Sequence, residues 1–226
     1  MKKLGFLANR SGLLWGRFRN VHPIHEKFGY HRPGSRVGRY YVDHFIEKNS
    51  KDIKGVALEI GENRYLNQFG GSRISKADIL HVESGNALAT HVGNLETGEG
   101  IPSGYYDCMV ITQTFQCVYN IQSAIRNVHR ALKKDGVLLA SFSGISQISR
   151  YDMEHWGEYW RFTDLSVKRM FGEVFGNVNV EVATFGNVLT ACAVLHGILK
   201  DELSIKELTY NDPDYQVIVC LRAVKR

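Results

Sequence analysis

Between Arg150 and Arg161 the chain gathers Tyr151, Asp152, Glu154, His155, Trp156, Glu158, Tyr159 and Trp160. That density of aromatic and ionisable groups is more than a plain connection needs. An imidazole, a group that ordinarily titrates near neutrality, with the carboxylates of Asp152 and Glu154 just before it in sequence is suited to proton removal from a hydroxyl. This makes His155 the candidate general base, oriented by Asp152 or Glu154. Tyr151, Trp156 and Tyr159 offer rings that stack equally well on a pyranose or an aromatic acceptor, and Arg161 offers a charge. A plainer reading makes Trp160 and Phe162 core residues and Arg161 an ion-pair partner.

Such a loop needs a scaffold, and residues 105–141 supply half of one. Met109, Val110 and Ile111 form a short apolar run after Asp107, as in a strand buried on both faces. From the expected N-cap Asn120, the residues Ile121, Ala124, Ile125, Val128 and Leu132 recur at helical spacing. Gly136 punctuates the chain before a second strand, Val137 to Ala140. Upstream, GVALEIG at 55–61 reads as another strand, ending in Glu59 and in Gly61, where backbone can approach a ligand closely. About 20 residues later stands Asp78, the spacing at which a doubly wound fold sets a carboxylate on a ribose.

On these residues the chain resembles, over roughly 38–223, the class I S-adenosylmethionine-dependent methyltransferases, particularly the small bacterial kind found with polysaccharide and glycosyl-transfer genes. The resemblance implies a three-layer α/β sandwich, Rossmann-like, with a mostly parallel seven-stranded sheet and an antiparallel last strand. It places Glu59 and Gly61 in the first cofactor loop, Asp78 on the ribose, Asn94 and Leu95 at the adenine, and Thr112 and Gln113 in the loop under the methionine. S-adenosyl-L-methionine is the implied cofactor and S-adenosyl-L-homocysteine the product. The loop after the fifth strand then lies beyond the carboxyl ends of the strands, where such folds bind ligands. The chain departs from the pattern in three places: the first loop reads GENRY with one glycine, Asn94 replaces an acid, and Lys134-Asp135 replaces Pro-Gly.

Composition agrees. A chain of 226 residues, 44% hydrophobic, can bury one sizeable core, so a single domain is expected, with a cap at 1–38 and a core at 39–226. No apolar run has transmembrane length and no signal-like start builds up, so a cytoplasmic protein is expected. Cys108, Cys117, Cys192 and Cys220 show no C-x-x-C pairing and read as reduced thiols, with Cys117 nearest the cofactor loop.

Residues 1–42 carry nine Lys or Arg against one acid, Glu26, so +8 resides there and the remainder is −3, for the total of +5. With Phe6, Trp15, Phe18, Phe28, Tyr30, Tyr40 and Tyr41, this segment is too apolar for a simple disordered tail. It is either an arm packing its aromatics on the sheet edge or a cap that attracts an anionic acceptor, with His25 as a substrate contact. His22, His25 and His31 do not make a metal site, because Pro23 breaks helical spacing and no carboxylate partner is evident. Nucleic acid is not expected as a partner, and the segment between the last two strands is read either as a cover for the sheet edge or as the surface of a homodimer. Further on, Thr163 should cap a helix with Leu165, Met170 and Phe171 inward, 188–203 should form one apolar helix, and 216–224 the last strand.

The function expected is O-methylation of a sugar or glycan precursor. The alternatives are a small natural product or peptide as acceptor, or a cofactor-binding accessory protein that no longer methylates.

Overall fold

Short apolar runs give short strands, and the computed structural model, which describes residues 20–226, joins seven of them in one sheet. These are β1 (Gly55–Ile60), β2 (Ile74–His81), β3 (His91–Val92), β4 (Tyr106–Thr112), β5 (Leu132–Ser143), β6 (Val180–Phe185) and β7 (Ile218–Val224), in the order β3-β2-β1-β4-β5-β7-β6. The pairs among β1 to β5 are parallel, and β7 runs antiparallel between β5 and β6. Met109, Val110 and Ile111 are fully buried, as a strand covered on both faces requires.

Helices cover the two faces. On one side lie α2 (Ile121–Ala131) and α4 (Asp164–Phe175); on the other lie α1 (Val37–Lys48), α5 (Val188–Leu195) and α6 (Ile205–Thr209). The short α3 (Arg150–His155) lies in the loop after β5. In α2 the Asn120 side chain accepts from Ser123 N, and Ile121, Ala124, Ile125 and Val128 are buried on one stripe. Leu132 belongs to β5 rather than to the helix. Inside the first half of β5, where its pairing with β4 is irregular, Asp135 takes the left-handed conformation (φ +64°). Gly136 is needed because a Cβ there would meet the Tyr106 and Lys133 carbonyls at 2.9 Å.

Two local expectations change. Thr163 caps α4 reciprocally with Ser166, and Phe171 and the partly buried Met170 face the core with Val167 and Phe175, but Leu165 is 72% exposed. The apolar run from 188 stops as helix at Leu195, because Gly197 turns the chain at φ +67°. The stretch beyond Gly197 ties down the N-terminal segment: Leu199 bridges to Arg36, Lys200 N donates to Ser35 O, and Arg32 pairs with Glu202 at 2.7 Å. The cap and the β6–β7 insertion thus make one wall. Phe6, Trp15 and Phe18 of the expected cap lie outside the described residues.

No helix among the described residues is long and apolar enough to cross a membrane. All four cysteines are free thiols. Burial pushes the Cys117 thiol up to about 12, so it stays protonated near neutrality.

Candidate active site

At the carboxyl ends of the parallel strands the structure opens two adjoining chambers. The smaller, about 470 Å³, is lined by Gly61, Leu80, His81, Glu83, Asn94 and Leu95, and roofed by His155, Trp156 and Tyr159. The larger, about 730 Å³, lies between the cap, the β6–β7 insertion and the loop after β5. Ile60, Gln113 and Asp152 line both chambers and mark where they meet.

Gly61 follows β1 in the left-handed region (φ +76°), and nothing among the described residues lies within 4 Å of where its Cβ would be. Its N–H donates to Leu80 O at 2.9 Å and its carbonyl accepts from Asn86 Nδ2 at 2.7 Å. A side chain would strain this backbone and fill the space beside it. Glu59 does not reach the chamber. Its carboxylate is 2% exposed and accepts from Tyr65 N (2.9 Å) and Leu66 N (3.0 Å), capping the helical turn after the loop. Burial raises its pKa to about 7 against those two N–H donors, which lower it. Tyr65 OH in turn donates to Asp43, accepts from Arg39, and so clamps the turn to α1.

Asp78 stands away from both chambers. The register pairs it with Leu58 in mid-sheet, where it is 1% exposed and held by Lys76 at 3.1 Å and His91 at 3.0 Å. The acid at the carboxyl end of β2 is Glu83, which lines the smaller chamber. Its backbone is folded back on His81, with Glu83 N 3.2 Å from His81 Nδ1. Leu95 is buried in the chamber wall, and Asn94 beside it uses Oδ1 to hold its own loop through Glu96 N at 2.7 Å.

Gln113, next after Thr112 at the end of β4, is a non-glycine residue in the left-handed region (φ +50°), an uncommon conformation that clusters at functional sites. A polar network holds it there: its N–H donates to Ser141 O (3.0 Å), Ser143 Oγ donates to its Oε1 (2.7 Å), and Gln116 Nε2 donates to its carbonyl (2.9 Å). Gln116 is 4% exposed and its own Oε1 is left without a partner among the described residues. Thr112 lines the larger chamber, and Ser143, Ser146 and Ser149 add hydroxyls to it.

The ionisable loop divides. Asp152 lies at the junction, its N–H capped by Ser149 Oγ at 3.2 Å. Tyr151 lines the larger chamber; His155, Trp156 and Tyr159 line the smaller. Arg161 lines neither. It pairs with the buried Glu158 at 2.9 Å and donates to Gln147 O at 2.7 Å, while Glu158 accepts from Ser149 N at the start of α3. Phe162 is core, but Trp160 is 41% exposed and donates to Val118 O. His25 also lines neither chamber; its N–H donates to His196 O, and its ring lies 5.6 Å from that of His31.

Residues 62–140 match the family model described as "Methyltransferase domain". That stretch is similar to a methyltransferase domain. The match begins just after Gly61 and takes in the rest of the first loop, β2 to β4, α2 and most of β5, so it contains the part of the smaller chamber's wall built by Leu80, His81, Glu83, Asn94 and Leu95. Among solved structures, the N-methyltransferase NodS from Bradyrhizobium japonicum, in complex with S-adenosylhomocysteine, is 11% identical with a TM-score of 0.54, covering 96% of this chain and 98% of its own. An S-adenosylmethionine-dependent methyltransferase from Archaeoglobus fulgidus is 12% identical with a TM-score of 0.51, covering 99% and 100%. The [4+2]-cyclase SpnF is 13% identical with a TM-score of 0.54, covering 96% and 93%. At these identities the likeness speaks for the fold, which is the Rossmann-like methyltransferase fold. No curated protein matches the chain.

Proposed function

We propose that this protein, a cytoplasmic S-adenosylmethionine-dependent methyltransferase, transfers the methyl group to a hydroxyl of a sugar or glycan precursor. The observation that carries the reading is the shared wall of the two chambers at Gln113 and Asp152. A donor in the smaller chamber and an acceptor in the larger meet there. Methyl transfer is an in-line displacement whose rate depends on holding two groups in register in a dry site.

The smaller chamber suits the nucleoside half of the donor. Gly61 leaves room for close approach, Glu83 supplies a carboxylate for the ribose hydroxyls, and Asn94 and Leu95 stand at the base. When bound, the cofactor supplies an electrophilic methyl on a sulfonium. In the larger chamber, Ser143, Ser146, Ser149 and Gln116 offer hydrogen bonds beside the rings of Tyr30 and Tyr151, a lining that fits a polyhydroxylated ring. Asp152, at the junction, takes the hydroxyl proton; His155 serves the cofactor side. The Arg36 guanidinium is held by the Gly34 and Gly29 carbonyls rather than by a carboxylate, and would pair with an acidic group on the acceptor.

A second reading is cofactor binding without methyl transfer. The single glycine of the first loop favours it, as does the sharing of this fold by a cyclase. Calorimetry with S-adenosylhomocysteine, followed by methyl-labelled S-adenosylmethionine with a panel of nucleotide sugars and sugar acids, decides between them. Label in a sugar supports the proposal, and binding without transfer to any acceptor supports the second reading. Absence of binding removes both.

A further inference from the structure

Trp156 closes the smaller chamber from above. Its ring meets His81, the last residue of β2, edge to face at 6.2 Å and 79°, and meets Tyr151 at 5.6 Å and 83°. It thereby spans from the end of α3 to the strand tip that leads into Glu83. Its backbone N–H is used, donating to Asp152 O at 2.8 Å.

The indole N–H is not. Trp156 Nε1 is shielded from water and has no hydrogen-bond partner among the described residues, whereas Nε1 of the more exposed Trp160 donates to Val118 O at 3.0 Å. A buried Trp N–H ordinarily finds an acceptor, and leaving one unpaired carries a desolvation penalty that a bound group can remove. The chamber beside it is the one assigned to the nucleoside. Adenosine offers ring nitrogens and ribose oxygens as acceptors, and its flat base suits an aromatic roof.

On the proposed function, we infer that Trp156 is a cofactor-binding residue, its indole N–H donating to an acceptor atom of the adenosine moiety and its ring closing the chamber over it. The loop after β5 thus does two jobs. Its Asp152 end faces the acceptor and its Trp156 end holds the donor. The aromatic cluster that reads from sequence as acceptor recognition is divided between the two ligands.

Trp156→Phe keeps an aromatic ring and removes the N–H. Calorimetry should show S-adenosylhomocysteine and free adenosine both binding roughly three- to tenfold more weakly, the range for one lost hydrogen bond between neutral groups. Melting temperature should be nearly unchanged. Tested against the unaltered protein, 3-deazaadenosine, 7-deazaadenosine or a deoxyadenosine should show a like loss, and that same analogue should lose nothing further against Trp156→Phe. In protein carrying Trp15→Phe and Trp160→Phe, the emission of the remaining indole should respond to S-adenosylhomocysteine. Equal affinity of Trp156→Phe and the unaltered protein for both ligands, or a silent Trp156 fluorophore on saturation, overturns the inference while leaving the proposed function standing. If the unaltered protein binds neither ligand, the proposed function fails first.

Discussion

His155 Nδ1 lies 2.7 Å from the backbone carbonyl oxygen of Tyr151, and the two rings stack 4.0 Å apart. A carbonyl only accepts, so Nδ1 carries the proton and Nε2 is the ring's free nitrogen when neutral. Neither Asp152 nor Glu154 orients the imidazole, as its neighbours in sequence suggest, because one helical turn places it over the Tyr151 carbonyl instead. The ring thereby faces the smaller chamber, and the carboxylate left at the junction is Asp152. Asp152→Asn should lower turnover by about 10²–10⁴-fold with S-adenosylhomocysteine affinity within a few fold. His155→Ala should weaken S-adenosylhomocysteine binding more than it lowers turnover at saturation. Initial rates and calorimetry on the two variants check the division, and the reverse pattern restores His155 as the base.

Two acids near β2 compete for the ribose, and burial separates them. Glu83→Ala should weaken S-adenosylhomocysteine binding by about 1.5–3 kcal/mol, the range for hydrogen bonds to a charged group. Asp78→Ala should leave that affinity nearly unchanged and instead lower the melting temperature, because Lys76 and His91 lose their buried partner. Calorimetry and thermal melts on both proteins test the pair; an affinity loss confined to Asp78→Ala reverses the assignment.

The features legible in the sequence are local. The Asn120 cap and the stripe of α2 arise from spacing within a few residues, and the structure shows them. Glu83 is harder to place, because the spacing from Glu59 fits Asp78, while the register of β1 against β2 sets Asp78 in mid-sheet and carries β2 on to His81. The network around Gln113 depends on Ser141 and Ser143 arriving from β5, and the cap depends on Arg32 meeting Glu202 far along the chain. Neither juxtaposition has a periodicity to read. Glu59 stands beside the expected loop, but which side of the backbone its carboxylate takes is decided by the turn at Tyr65 and Leu66.

That buried Glu59 gives a pH signature. Its pKa is raised from an ordinary carboxylate value near 4.5 to about 7 in the folded protein, so between these values the folded state holds more proton than the unfolded one. Its contribution to stability is therefore complete below about pH 4.5 and is lost as pH rises through about 7. The loss amounts to no more than ~3 kcal/mol over that window, from 1.36 kcal/mol per pH unit. Glu59→Gln keeps an acceptor for the Tyr65 and Leu66 N–H groups and cannot ionise. Urea unfolding of both proteins at pH 5, 6, 7 and 8 should show the difference in stability moving in the variant's favour up to about pH 7 and levelling off above it. Parallel profiles would remove Glu59 as a titrating group.

Arg161 offers the test of whether the loop after β5 is held or holding. Its guanidinium pairs at 2.9 Å with Glu158, whose side chain is 5% exposed, and Glu158 also accepts from Ser149 N at the start of α3. Arg161 itself is partly exposed, so the pair is partly screened and Arg161→Ala should cost about 1–3 kcal/mol rather than the larger loss of a fully buried pair. For a chain of this size that lowers the melting temperature by roughly 3–10 °C. The destabilisation arises from a carboxylate left buried without a counter-charge, so adding Glu158→Gln to Arg161→Ala should recover much of it. The anchor of α3 should loosen in the single variant, and S-adenosylhomocysteine affinity should fall and recover in step with stability. If Arg161 instead touched the acceptor, Arg161→Ala would raise the acceptor's KM at an unchanged melting temperature, and the second substitution would rescue nothing.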